Sequence, residues 1–121
     1  MLNLDTHVVI ALLKGDLSAQ EHELILGHQL AISDIVNWEI AKLVQLARLR
    51  MDLDSPQYRK FEASLTVFPI TVEVAVQSTQ LDFDSDPADE IIAATSIVHD
   101  IPLMTRDRRI LASKVVPLVQ V

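Results

Sequence analysis

Short apolar runs alternate with longer segments of helical spacing along this chain, and few folds accommodate such an alternation. The runs lie at residues 2–5, 30–33, 66–70, 102–105 and 115–119. Parallel strands need long crossovers between them, usually helices, so the alternation predicts a mostly parallel sheet of the α/β class. The runs are apolar on both sides, which indicates a sheet with helices on both faces. Pro117 in the last run favours an edge strand.

Helical spacing predicts the elements between these runs. Residues 34–49 place Ile35, Ile40 and Leu43 on one face. The pair Ser55-Pro56 is typical of a helix start, because proline suits the first helical position, and it predicts a helix that continues through residue 65. Further helices are predicted at residues 16–27, 71–81 and 88–98, after Asp5, and after Asp107.

Length and composition exclude several classes of protein. A chain of 121 residues fits one domain, so we predict a single domain over residues 1–121. There is no cysteine, which excludes disulfides, thiolate zinc sites and a cysteine nucleophile. No basic segment followed by an apolar run begins the chain, and no apolar stretch could span a bilayer. We therefore expect a cytoplasmic protein without membrane contact.

Charge limits how this protein could handle a nucleic acid. It has 17 acidic and 10 basic residues, for a formal net charge of −7 at pH 7. Simple electrostatic wrapping of RNA or DNA by such a chain is disfavoured. Any nucleic-acid function therefore requires something that offsets the negative charge of the protein.

Acidic residues recur where the predicted strands end. Asp5 closes the first run and Asp107 follows the fourth, while Asp86 and Asp89 begin the helix that leads into the fourth. Glu39 lies on an apolar face of the helix after the second run. Because the carboxyl ends of parallel strands meet at one edge, where such sheets bind ligands, these carboxylates are candidates for one site.

Each of these acids also has a simpler interpretation. Asp86 before Pro87 is a typical helix N-cap, and Asp89 three residues later resembles a capping box. Asp5 and Asp107 could each stabilise the N-terminus of the helix that follows. For each of these residues, helix capping and a role in the site are alternative interpretations.

Glu39 could likewise pair with Lys42 or Lys14. These alternatives do not explain why acids recur at strand ends, and carboxylates gathered there would repel one another. A hard divalent cation relieves that repulsion, and Mg²⁺ or Mn²⁺ takes oxygen ligands.

Zinc is a poor candidate, because the four histidines are scattered and His7 alone lies near this edge.

Four motifs in order resemble those of the PIN-domain ribonucleases, in particular the VapC-type toxins of toxin–antitoxin pairs. The resemblance extends nearly from end to end. The motifs are Leu4-Asp5-Thr6-His7, Trp38-Glu39-Ile40-Ala41, Asp86-Pro87-Ala88-Asp89 and Thr105-Arg106-Asp107.

The resemblance implies a five-stranded parallel sheet and an acidic Mg²⁺ or Mn²⁺ site that cleaves RNA with a metal-activated water. It also implies a homodimer and a small antitoxin protein whose tail covers the site. The acidic quartet it implies is Asp5, Glu39, Asp89 and Asp107, with Asp86 as an additional metal ligand and Thr6 and Thr105 as supporting hydroxyls.

Substrate contacts are less clearly indicated. Arg106, Arg108 and Arg109 could contact phosphates, or they could form a solvated face that balances local acids. The five aromatic residues are dispersed, so we predict no platform for stacking bases. Glu90 stands where this branch usually has arginine, which places a negative charge near the site.

Two other functions compete with the nuclease hypothesis. Glu90 and the net acidity would suit a catalytically weak or inactive PIN-like module that binds RNA or protein. An aspartate-based phosphotransfer domain also places aspartate at strand ends. Such a phosphatase usually has a second acid two residues after the nucleophile, where this chain has His7.

Overall fold

A computed structural model describes residues 1–120 of the chain. Within them, four strands form one parallel sheet in the order β3-β2-β1-β4. The strands span Leu2–Leu4 (β1), Leu30–Ser33 (β2), Thr66–Phe68 (β3) and Leu103–Met104 (β4).

Seven helices connect these strands in the described part of the chain. They span Thr6–Lys14 (α1), Ala19–Leu26 (α2), Asp34–Gln45 (α3), Pro56–Ala63 (α4), Val72–Gln77 (α5), Pro87–His99 (α6) and Arg108–Leu111 (α7). The strand–helix alternation predicted from the sequence is confirmed, and so is the α/β class.

The strand order reverses between β1 and β4. The chain builds outward from β1 to β2 and β3, then returns to place β4 on the other side of β1. In β1, Leu2, Asn3 and Leu4 are all buried, so both faces of this strand are covered. Ligands of open parallel sheets bind at the carboxyl ends of strands where the order reverses. That position lies just beyond Leu4 and Met104.

The predicted fifth strand is wrong. Residues 115–119 make only an isolated parallel bridge, Leu103 with Leu118, through hydrogen bonds from Leu103 N to Pro117 O (2.8 Å) and from Val119 N to Leu103 O (3.0 Å). Two physical causes shorten this pairing. Proline has no N–H to donate, and β4 itself is only two residues long.

Helix α3 ends earlier than the periodicity of residues 34–49 predicts. Its last residue is Gln45, and Ala47 has a φ of 57°. The left-handed conformation breaks the helix, and Arg48 N donates to Leu43 O (2.9 Å) across the turn. The apolar residues beyond this point continue the spacing of a helix without being helical.

Asn3 joins the sheet to α6. Its side chain is fully buried, and its Nδ2 donates to Ile92 O (3.2 Å) and Ser96 Oγ (2.9 Å). Around it lie fully buried apolar side chains, which form one core: Leu4, Val8, Ile32, Ile40, Ile92 and Leu103. The amide therefore holds α6 against the strand that carries Asp5. No helix within residues 1–120 has the length and apolarity to cross a membrane.

Candidate active site

Asp5 is the buried centre of the site. It follows β1 directly, its backbone N donates to Met104 O (3.1 Å), and only 1 % of the residue is exposed. Oδ1 accepts from the Thr6 backbone N (2.7 Å), and Oδ2 accepts from Thr105 Oγ1 (2.7 Å). Asp5 thus caps α1, as the simpler interpretation predicts. Each oxygen still has a lone pair available for a cation.

Thr105 links two of the acids. Its hydroxyl donates to Asp5 and accepts from the backbone N of Asp107 (3.1 Å). Asp107 in turn caps α7, since its Oδ1 accepts from Arg109 N (2.8 Å). Capping occupies one oxygen of Asp107, so this role and a role in the site are compatible.

Glu39 reaches the same network from α3. Thr6 Oγ1 donates a hydrogen bond to Glu39 Oε1. Neither Lys42 nor Lys14 makes an ion pair with Glu39 anywhere in the described structure, so the simpler interpretation of Glu39 is not observed. Hydrogen bonds through Thr6 and Thr105 thus connect Glu39, Asp5 and Asp107.

Asp89 completes the group from the first turn of α6. Its Oδ2 accepts from Ser85 Oγ (2.9 Å). Burial raises the pKa of Asp89 to about 6 from 3.8; the Ser85 hydrogen bond opposes this, and the charges of Asp5, Glu39 and Asp107 add to it. The structure therefore brings the predicted quartet close enough for mutual repulsion.

The pKa of Asp5 is also raised. Burial is the main cause, with a smaller contribution from the charge of Asp107, while hydrogen bonds from Thr105 and Thr6 and the nearby His7 oppose it. The hydrogen bonds stabilise the ionised form but do not outweigh the loss of solvent. A positive charge at this position would stabilise the ionised carboxylate.

No lysine or arginine forms an ion pair with the quartet in the described part of the chain. The ion pairs within residues 1–120 are Arg59 with Asp54 and Arg106 with Glu21, both outside the quartet. No three histidine, aspartate or glutamate side chains in this range form a ready-made metal cage. Mg²⁺ usually takes only one or two protein carboxylates and keeps several waters. A partly buried set of carboxylates without an ion-pair partner, with Asp5 at its buried end, fits such an ion.

Asp86 does not behave as the cap that the sequence suggests. It occupies the N-cap position of α6, but its side chain makes no capping hydrogen bond. Its exposed carboxylate lines a cavity together with Glu39.

We expect Asp86→Asn to weaken Mn²⁺ binding less than Asp89→Asn does. Asp86 is exposed, whereas the half-buried Asp89 lies near three other acids, so its charge is less screened there. Isothermal titration calorimetry of both variants measures the difference. Equal losses would show that Asp86 binds the metal as strongly as Asp89.

Arg106 in the fourth motif and Arg109 just after it have different surroundings. Arg106 forms a two-point contact with Glu21, with Nε–Oε2 at 2.9 Å and Nη2–Oε1 at 2.7 Å, and Nη2 also donates to Asp16 O (3.1 Å). Arg109 donates to Asp84 O (3.2 Å) and remains exposed. Arg106 therefore ties the loop after β4 to α2, and its phosphate contact remains only a prediction.

We expect Glu21→Gln to destabilise the fold near neutral pH and progressively less in acid. The hydrogen bond from Arg106 is the main cause that lowers the pKa of Glu21 from 4.5 to about 2. A carboxyl with a lowered pKa stabilises the folded state above its unfolded pKa and loses that effect as pH falls through the folded pKa. Because Arg106 is partly exposed, we expect a cost of about 1 kcal/mol at pH 7.

Urea unfolding at pH 7, 4 and 3 checks this expectation. Glutamine can keep the capping box with Ser18, so the substitution isolates the ion pair. A difference between Glu21→Gln and the unmodified protein that stays constant with pH would contradict it.

Sequence reasoning missed three residues near the site. Ser85 hydrogen-bonds Asp89, Glu21 holds Arg106, and Trp38 lies exposed beside Glu39. Trp38 alone carried a signal, because it sits inside the second motif. Glu90 turns to the loop before α6, where its Oε2 accepts from Ser85 N (3.4 Å).

Fold and site together define a class: a parallel α/β domain with an acidic site where the strand order reverses. Residues 3–115 match the family model described as PIN domain. The chain belongs to the PIN domain family, which confirms the family predicted from the four motifs. A search of curated proteins finds no match.

Solved structures share this fold over nearly the whole chain. A toxin–antitoxin complex from Klebsiella pneumoniae is 22 % identical, with a TM-score of 0.76 over 99 % of this chain and 97 % of that one. VapBC from Salmonella typhimurium bound to DNA is 18 % identical, with a TM-score of 0.70 over 98 % and 96 %. VapBC2 from Rickettsia felis bound to a promoter DNA fragment is 16 % identical, with a TM-score of 0.67 over 98 % of both.

Proposed function

We propose that this PIN domain is a Mg²⁺- or Mn²⁺-dependent endoribonuclease that hydrolyses RNA phosphodiester bonds. One observation carries the proposal. Asp5 is buried, accepts two hydrogen bonds and makes no ion pair within the described structure, and the neighbouring Asp89 is exposed to the charges of Asp5, Glu39 and Asp107. Such an arrangement is costly unless a cation binds there.

The side chains have distinct parts in this mechanism. Asp5, Glu39, Asp89 and Asp107 hold the cation, directly or through its waters. A bound divalent cation supplies a water of lowered pKa and stabilises the charge that develops in an in-line displacement at phosphorus. Thr105 keeps Asp5 oriented through its hydrogen bond, and Thr6 does the same for Glu39.

Carboxylates can also take up the proton that the attacking water loses. Asp89, which is half-buried at the start of α6, suits that task. Its hydrogen bond from Ser85 occupies only Oδ2, so the other oxygen is available.

We further propose that the protein is the toxin of a type II toxin–antitoxin pair, acts as a homodimer, and is neutralised by a small antitoxin protein. The structural neighbours named above, which are toxin–antitoxin complexes, support this role. An arginine or lysine in an antitoxin tail could pair with the acidic quartet and displace the metal. Exposed Val72 and Val76 on α5 provide apolar surface for a protein contact.

RNA cleavage by purified, partner-free protein tests the enzymatic proposal. A mixed pool of structured RNAs is incubated with Mg²⁺, Mn²⁺ or EDTA, and Mn²⁺ binding is measured in parallel. We expect cleavage with either metal and none in EDTA. Cleavage that persists in EDTA would contradict the metal-dependent mechanism.

A catalytically inactive binding module is the second candidate, and Glu90 favours it. Its carboxylate adds negative charge to the loop before α6, where it accepts a hydrogen bond from Ser85. A folded protein that neither binds Mn²⁺ nor cleaves RNA would support this alternative. Glu90→Arg would then be the first variant to test for restored cleavage.

A further inference from the structure

Trp38 is the only tryptophan of the chain, and it lies at the edge of the candidate active site. It precedes Glu39 on α3, and 54 % of the residue is exposed. An exposed indole loses the stabilisation that its burial would provide. Its position beside a metal-binding carboxylate therefore suggests a contact with substrate.

A cavity of about 280 Å³ is lined by Trp38 together with two acidic residues, Glu39 and Asp86. Trp38, Leu43 and Pro87 provide apolar walls, while Glu39 and Asp86 bring in the carboxylates of the site. A flat, largely apolar group could therefore lie against the indole while a phosphate attached to it reaches the metal site.

Lys42 contributes one positive charge to a cavity that also holds the carboxylates of Glu39 and Asp86. It also lines the cavity, and its Nζ lies 5.8 Å from the centroid of the Trp38 ring. This ammonium makes no ion pair in the described part of the chain and bonds only the neutral Gln45 side chain (3.0 Å). An aromatic face beside an unneutralised cation suits a nucleotide, which combines a flat base with an anionic phosphate.

We propose that Trp38 stacks a nucleobase of the RNA beside the phosphate that is cleaved, and that Lys42 contacts the adjacent phosphate. This inference rests on the proposed ribonuclease function. A chain with a net charge of −7 gains little affinity for RNA from its overall charge. Stacking on a π-face supplies affinity that does not depend on charge, and it tolerates any base.

Fluorescence tests the contact directly, because the emission of this protein comes from one tryptophan. The probes are a short oligoadenylate and a sugar–phosphate strand of equal length without bases, each mixed with Asp5→Asn protein so that cleavage is negligible. We expect the oligoadenylate to quench Trp38 emission and to protect it from acrylamide. We expect the strand without bases to do neither.

Cleavage kinetics test its contribution to activity. Trp38→Ala should lower kcat/KM roughly 10- to 100-fold, mainly through KM, and Trp38→Phe should retain most of it. Trp38→Leu keeps apolar bulk but has no π-face, so it should behave like alanine. Leu26→Ala removes another exposed apolar side chain, far from any role assigned above, and should leave kcat/KM unchanged.

Three results would overturn the proposal. Metal-dependent cleavage that is unaffected by Trp38→Ala, with no change in fluorescence, would remove the stacking role and leave the ribonuclease intact. Absence of both cleavage and quenching would overturn the proposed function together with this inference. Emission that shifts to the blue as protein concentration rises, and does not respond to RNA, would show that a second copy of the chain covers Trp38.

Discussion

Asp5→Asn is expected to lower metal-dependent RNA cleavage about 10³-fold, equivalent to about 4 kcal/mol of transition-state stabilisation. The substitution removes the charge of the most buried acid of the site, which is 1 % exposed. Asparagine caps helices as well as aspartate does, so its Oδ1 can still accept from Thr6 N (2.7 Å). The fold should therefore survive while the metal site fails.

Single-turnover cleavage of one RNA at saturating Mg²⁺ measures this effect, and circular dichroism checks the fold. Asp100→Asn is the matched control. Asp100 is exposed and has a φ of 53°, a conformation that asparagine tolerates well. Asp5→Asn protein that cleaves at the rate of the Asp100→Asn control would contradict a catalytic role for Asp5.

Asp89→Asn is expected to stabilise the metal-free protein while it abolishes stabilisation by metal. The pKa of Asp89 is raised to about 6 by burial and by three neighbouring acids, so folding at neutral pH opposes its ionisation. A shift of about two units corresponds to about 3 kcal/mol, which partial exposure reduces to about 1–2 kcal/mol. Without metal, the asparagine variant should melt roughly 3–8 °C higher at pH 7.5.

The pH dependence of this difference has a definite sign. A carboxyl whose folded pKa is raised destabilises the fold fully above that pKa, and the cost declines as pH falls from about 6 towards 3.8. The advantage of Asp89→Asn in EDTA should therefore shrink between pH 7 and pH 4. In Mn²⁺ the unmodified protein should gain stability by mass action, and the variant should not.

Thermal melts in EDTA and in Mn²⁺, each over this pH range, test both parts. Asp100→Asn again serves as the control, because its carboxylate is exposed and outside the quartet. An Asp89→Asn variant that is less stable than the unmodified protein in EDTA would show that Asp89 stabilises the folded state rather than destabilising it.

Sequence patterns alone predict the class of the fold and the edge of the sheet where the acids meet. Alternating strands and helices allow few arrangements, and the carboxyl ends of parallel strands share one edge. Asp5 and Asp107 each follow a strand, so their proximity depends only on β1 and β4 being neighbours. Asp89 and Glu39 lie on helices. The motifs indicate that they belong to the site, but the packing of these helices brings them near Asp5 and Asp107.

Which side chains already have partners depends on how the folded chain packs. The sequence predicts the same phosphate-binding role for Arg106 and Arg109, yet Arg106 is held by Glu21, 85 positions away in the chain. A fifth strand is likewise predicted from local apolarity, but it does not form. Strand pairing needs a neighbouring strand, and the two residues of β4 support only one bridge.

Trp38 shows most clearly that local sequence does not predict tertiary contacts. The aromatic residues are dispersed along the sequence, which predicts no stacking platform. The folded chain nevertheless places Trp38 on a cavity that is also lined by Asp86, the N-cap residue of another helix. Local patterns specify backbone conformation and burial, because these depend on neighbours in sequence. Partners and cavities depend on residues far apart in the chain, so packing alone determined them.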